Sequence, residues 1–156
     1  VFTSPYLERF SERIRIIEGR QGLSDLIKDD STGEIDQADL DKYSGMVKEA
    51  REKMVYEGMC DEPTEFELIT AICFLYFADM KIDVAVLEVG LGGRLDATNV
   101  IDTPLVNIIT SLSLGTIIIV HPYSFVKGFC KSFLFFLRVF LRLCFLSSRS
   151  WLSLAC

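Results

Sequence analysis

Residues Asp83–Asn99, DVAVLEVGLGGRLDATN, decide how the chain is read. Val84 to Leu87, with Val89 just beyond Glu88, make a short β-prone apolar run bounded by turn signals, which predicts a buried strand. Glu88 lies inside that run, close to its end, and a carboxylate is rarely fully buried there unless it is paired or bound to a metal. Gly90, Gly92 and Gly93 follow, then Arg94 and Asp96. A carboxylate at the carboxyl end of a strand that opens into a glycine-rich loop is how α/β proteins build a ligand crevice. Glycine lets backbone approach a ligand closely and adopt positive φ. The loop also reads as a plain tight connection. Its glycines do not fit G-x-G-x-x-G, and the Gly-Lys-Ser/Thr ending of a phosphate-binding loop is absent.

Upstream, Pro63-Thr64-Glu65-Phe66-Glu67 opens a helix, with Thr64 and Glu67 at capping-box spacing. The run Leu68–Met80 is apolar nearly all round, so that helix is expected to be buried. Before it, Asp36–Met59 is a long amphipathic helix. Leu40, Tyr43, Val47, Ala50 and Met54 form its stripe, acidic residues stand at its start, and Gly58 marks its end. Gly19–Gly33 is polar and turn-rich and is expected to be a solvated loop. Val1–Thr3 reads as strand stopped by Ser4-Pro5, Tyr6–Arg13 as a loop, and Ile14–Ile16 as a short half-exposed strand edged by paired charges. Downstream, Leu105–Thr110 (LVNIIT) is a further β-rich run. Strand, helix, strand, loop, strand is the rhythm of an α/β fold with a mostly parallel sheet flanked by helices.

Composition divides the chain. All 22 acidic residues lie at or before Asp102, while Lys127, Lys131, Arg138, Arg142 and Arg149 stand in a tail without an acid. The five cysteines fit no C-x-x-C pattern, Cys73 reads as a small core residue, and a reducing cytoplasm is the compartment expected. No signal or transit segment opens the sequence, and its start at Val1 is expected to lie inside a larger protein.

Three stretches in order carry a resemblance: TSPYLERFSERIRI at Thr3–Ile16, PTEFELITAICFLYFA at Pro63–Ala78, and EVGLGGRLDATNV at Glu88–Val100. Together they closely resemble the folylpolyglutamate synthase/dihydrofolate synthase family of the Mur-ligase superfamily, over about residues 1–113. The resemblance implies part of a Mur-ligase central domain in 1–113. The activity it implies is an ATP-dependent amide ligation in which a pteroate or folate carboxylate, activated as an acyl phosphate, is attacked by the amine of L-glutamate. The substrates implied are dihydropteroate or folate, L-glutamate and ATP, with Mg2+ as cofactor, no nucleic acid, and a monomeric parent. By the same resemblance Glu88 is a magnesium ligand, in keeping with a hard cation that takes carboxylate oxygens. Ser4 is a polar contact on the loop bordering the folate site. Thr64 and Phe66 line the pterin side, Asp96 and Ala97 form the pterin end of the glycine loop, and Arg94 orients structure or substrate.

Departures from the pattern limit what the chain does alone. The family's phosphate-binding loop is not in this sequence. Ser111-Leu112-Ser113 follows LVNIIT where the family continues to a metal-binding Asp-His pair, and His121 does not sit at the matching place. The chain by itself is therefore expected to be inactive, and a non-catalytic pterin- or folate-binding remnant is the alternative. Residues 114–156 match nothing in the family. Thr116–Val120 reads as strand, and Phe125–Leu146 is apolar with a basic stripe at helical spacing, the pattern of an interfacial helix. Three readings of this tail stay open: sequence foreign to the gene, such as a frameshift; a membrane-surface helix, the only source of membrane contact; and a segment packed into this protein or a partner.

Overall fold

The computed structural model describes residues 1–91, 93–101, 104–109 and 150–155. Among them lie a 3-10 turn at Phe10–Arg13, α1 (Gly19–Lys28), α2 (Gln37–Tyr56), α3 (Glu65–Asp79), β1 (Val84–Glu88), β2 (Val106–Ile109) and β3 (Ser150–Ala155). The chain thus combines helices with a few short strands. β3 lies between β1 and β2 and runs parallel to both, with Val84 opposite Ser150 and Val106 opposite Leu152.

The core forms where α3 meets β1. Thr64 caps α3, accepting from the Glu67 N–H at 3.3 Å, while Glu67 reaches back to the Thr64 N–H at 2.7 Å. Ile69, Ala71, Cys73, Phe74 and Phe77 are all buried, as a helix apolar on every face requires. Truncating a buried Phe of this kind costs about 3–5 kcal/mol. Burial pushes the Cys73 thiol up and leaves it un-ionised. α2 lays Tyr43, Val47 and Met54 inward from its stripe, Asp36 caps it by accepting from the Asp39 N–H, and Gly58 follows it at φ +66. The Tyr43 and Tyr76 rings meet at 5.6 Å, and Asp79 accepts from both Tyr43 (2.5 Å) and Lys42 (2.8 Å) at the edge of this helix pair. β1 turns Ala85 and Leu87 inward against the same core.

Three expectations change. Gly19–Gly33 is not one solvated loop: residues 19–28 form α1, and only the Asp29–Gly33 turn remains. The reason is legible afterwards, since Leu23, Leu26 and Ile27 are spaced three and four apart, a signal masked by Gly19 and Gly22. No residue of α1 is buried. Val1–Thr3 is not a full strand. Phe2 alone forms bridges, antiparallel to Ile14 and parallel to Leu87, because Pro5 carries no donor and the Ser4 N–H goes to a side chain. The Tyr6–Arg13 loop closes in the 3-10 turn. Ile14 is buried and Arg15 only half-buried, as the alternation implies, and Arg15 pairs with Glu34 at 3.2 Å as the paired-edge reading expects. The division at residue 113, Thr116–Val120 and the Phe125–Leu146 stretch lie outside the described residues. Among the described residues no helix is long and apolar enough to cross a membrane.

Candidate functional site

The site grows from the end of β1. Phe2 donates its N–H to Val86 O (2.8 Å), and Glu88 returns its own N–H to Phe2 O (2.9 Å), so the N-terminal segment lies against the last turn of the strand. Two residues on from Phe2, the Ser4 N–H donates to Glu88 Oε2 at 2.7 Å across 84 positions of sequence. Glu88 is half-buried there. A single carboxylate thus ties the strand terminus to the loop that begins at Ser4.

The glycine loop is folded around a second carboxylate. Asp96, 3% exposed, accepts from the Leu91 N–H (2.8 Å) through Oδ2 and from the Thr98 N–H (2.9 Å) and hydroxyl (2.6 Å) through Oδ1. Buried carboxylates are tolerated where hydrogen bonds meet their lone pairs in this way. Gly93 takes φ +71, and Asn99 Nδ2 donates to Arg94 O at 2.9 Å. Gly90 is required by close approach. A Cβ there would stand 2.7 Å from Phe66 Cζ and 3.0 Å from Asp96 Oδ2. Phe66, half-buried at the start of α3, has its ring 5.9 Å from that of Phe2.

The residues singled out from sequence therefore divide. Ser4, Glu88, Phe66 and Asp96 are joined through Phe2 and Gly90 into one contiguous patch. Ala97, next to Asp96 in the chain, is fully buried. Thr64 and Arg94 are exposed, Thr64 engaged in its cap and Arg94 accepting through its carbonyl from Asn99. Glu67, 1% exposed, uses Oε2 for the Thr64 cap, and its Oε1 has no hydrogen-bond partner among the described residues.

Two further carboxylates shape the approach, and neither was named from the sequence. Glu12 accepts the backbone N–H groups of Leu7 (2.9 Å), Glu8 (3.1 Å) and Arg9 (2.8 Å), and these bonds hold its pKa below the ordinary value. Burial alone would raise Glu34, but hydrogen bonds from Arg9 and Ser11 outweigh it and hold the group down. Glu34 accepts from Arg9 (3.0 Å) and Ser11 (2.5 Å) and faces Arg15 at 3.2 Å. The available signal was a glutamate three residues after Arg9, at capping spacing.

A hard cation fits this donor set in part. Glu88 supplies carboxylate oxygen, and Mg2+ is commonly held by one or two carboxylates plus waters and phosphates. Among the described residues no three His, Cys, Asp or Glu side chains converge to hold a metal.

The chain matches no family model, and no solved structure matches it significantly. It is 38% identical over 114 residues to the folylpolyglutamate synthase of Lacticaseibacillus casei, covering 73% of this chain and 23% of that protein. It is 39% identical over 114 residues to the dihydrofolate synthase/folylpolyglutamate synthase of Bacillus subtilis, covering 71% and 22%. With the Mycobacterium tuberculosis protein of the same name the identity is 57% over 51 residues, 33% of this chain and 10% of that one. The chain spans about a fifth of the length of the first two of these relatives.

Proposed function

The chain belongs to the folylpolyglutamate synthase/dihydrofolate synthase family, and on that premise we propose that it is the folate-facing part of a cytoplasmic, monomeric ligase that joins L-glutamate to dihydropteroate or folate through an activated carboxylate. The observation that carries this reading is the meeting of three distant motifs. Ser4 reaches Glu88 at 2.7 Å, and Phe66 and Asp96 both close on Gly90. In this reading residues 1–113 are part of a Mur-ligase central domain, whose complete sheet is mostly parallel with helices on both faces.

Each residue then has a task set by its chemistry. The Phe66 ring, half-buried at a helix start, offers a face on which a pterin stacks. Asp96 fixes the glycine loop and has one lone-pair position left for the pterin edge, since a carboxylate accepts about four hydrogen bonds and three are made. Ala97 shapes the floor. Ser4 presents its hydroxyl at the mouth of the site, with Thr64 and Arg94 at the rim to orient the substrate. Glu88 is the residue that would hold Mg2+, which when bound offsets negative charge on phosphate oxygens. The sequence holds no Gly-Lys-Ser/Thr loop, so no residue of this chain is assigned to ATP.

Binding without turnover is the expected behaviour of the chain alone. Equilibrium dialysis of the full chain against dihydropteroate should show saturable binding below millimolar concentration. Phe66→Ala should weaken it about tenfold, the loss of one stacking partner. Labelled glutamate, ATP and Mg2+ added to the same chain should give no product. No binding at millimolar dihydropteroate would end this reading, and glutamate incorporation by the chain alone would refute its division of labour.

A further inference from the structure

The segment that borders the site carries three arginines, Arg9, Arg13 and Arg15, and among the described residues Arg13 alone of the three has no acid partner. Arg9 and Arg15 both converge on Glu34, at 3.0 and 3.2 Å. Arg13 makes no ion pair among the described residues, and its Nε is buried with no hydrogen-bond partner. Its guanidinium instead lies 5.2 Å from the Tyr6 ring centroid and 6.0 Å from that of Phe10, two rings that meet edge-on at 6.0 Å. Aromatic faces hold a guanidinium in place without neutralising it. An arginine fixed in this way keeps the planar fork that matches a carboxylate, with little rotamer freedom left to lose on binding. An unsatisfied buried donor in a chain rich in acids needs an account, and a ligand supplies one.

Arg13 also stands at the right place. Its carbonyl accepts the Thr3 N–H at 3.0 Å, and the next residue, Ser4, donates to Glu88. The backbone that carries this cation is thus two hydrogen bonds from the carboxylate that ends β1. We infer that Arg13 binds the carboxylate of the folate-type substrate, while Phe66 and the glycine loop take the pterin ring. This rests on the folate reading above and adds a specificity-determining residue to it. Arg13 selects for substrates that carry an acid at the end remote from the pterin.

The test compares two pterin ligands: pteroate, whose p-aminobenzoate carries that acid, and 6-hydroxymethylpterin, which lacks both the aryl ring and its acid. Both are titrated by equilibrium dialysis into the full chain, its Arg13→Met variant and its Arg13→Lys variant. The wild-type chain should bind pteroate the more tightly. Arg13→Met should lose about tenfold or more in pteroate affinity, the worth of one charge-assisted contact, and keep its affinity for 6-hydroxymethylpterin. Arg13→Lys keeps the charge but not the fork, so it should fall between them. It decides the matter if Arg13→Met does not fold. Excess inorganic phosphate should leave pteroate binding unchanged, and competition by phosphate would overturn the carboxylate assignment. Equal loss of both ligands in the variants, or no loss of either, would overturn it too and leave the folate reading standing. A wild-type chain that binds 6-hydroxymethylpterin as tightly as pteroate would overturn the assignment alone. One that binds neither would overturn both.

Discussion

The N-terminal loop and the glycine loop solve one problem in opposite surroundings. Each is an irregular segment folded around a carboxylate that accepts three short-range hydrogen bonds. Glu12 gathers the N–H groups of Leu7, Glu8 and Arg9, and Asp96 gathers those of Leu91 and Thr98 with the Thr98 hydroxyl. The residues around Glu12 are exposed or half-buried and rich in charge, with Leu7 89% exposed. Asp96 is buried, as are Ala97 and Thr98 after it, and both it and Phe66 close on Gly90. Water can replace the bonds of the first loop when they break, but not those of the second. The first loop is therefore built to move at small cost, and the second to stay. A binding site needs both: a fixed floor and a border that admits the ligand.

Asp96→Ala tests the floor most severely. It strands the buried Thr98 N–H and hydroxyl and the part-buried Leu91 N–H, and should destabilise the chain by about 3 kcal/mol, read as a lower urea midpoint. Gly90→Ala should cost less, about 1–3 kcal/mol by overpacking against Phe66, and should weaken pterin binding because that ring must shift. The smallest effect is expected in the border. Glu12→Ala should leave the urea midpoint nearly unchanged, yet speed hydrogen exchange at the amides of Leu7, Glu8 and Arg9. A fall in global stability equal to that of Asp96→Ala would abolish the contrast between the loops.

Acid sharpens the same contrast. The folded pKa of Glu12 lies below its ordinary value of 4.5, first through the Leu7 N–H and then that of Arg9, and Glu34 is also held below 4.5. A carboxylate depressed in the folded state contributes stability that is complete above the unfolded value and is lost as pH falls through the folded one. The N-terminal loop should therefore keep its amide protection above about pH 5 and lose it progressively below about pH 4.5, as linkage requires. Exchange rates at Leu7 and Arg9 that stay flat through that range would show that Glu12 does not hold the loop.

Much of this was legible in the sequence where the signal was local. The Thr64–Glu67 cap, the stripe of Tyr43, Val47 and Met54, and the closing Gly58 are short-range patterns, and each appears where periodicity and capping put it. The apolar run before Glu88 gave a strand of the expected extent. α1 was missed because Gly19 and Gly22 outweighed a three- and four-residue spacing of apolar residues on a helix that buries none of them. Glu12 and Glu34 were missed for a different reason. Their roles depend on which N–H groups and guanidinium groups face them, and in a polar loop no periodicity reports that.

By itself the sequence determined the two long helices α2 and α3, the strand that ends in Glu88, and the family, because caps, periodicity and three ordered motifs are properties of neighbours along the chain. Only the tertiary structure decided that Ser4 reaches Glu88, that Gly90 is glycine because Phe66 and Asp96 close on it, and that among the described residues Arg13 is left without the acid that Arg9 and Arg15 share. Those are contacts between residues far apart in sequence, and burial and electrostatic pairing are settled only when the chain has brought them together.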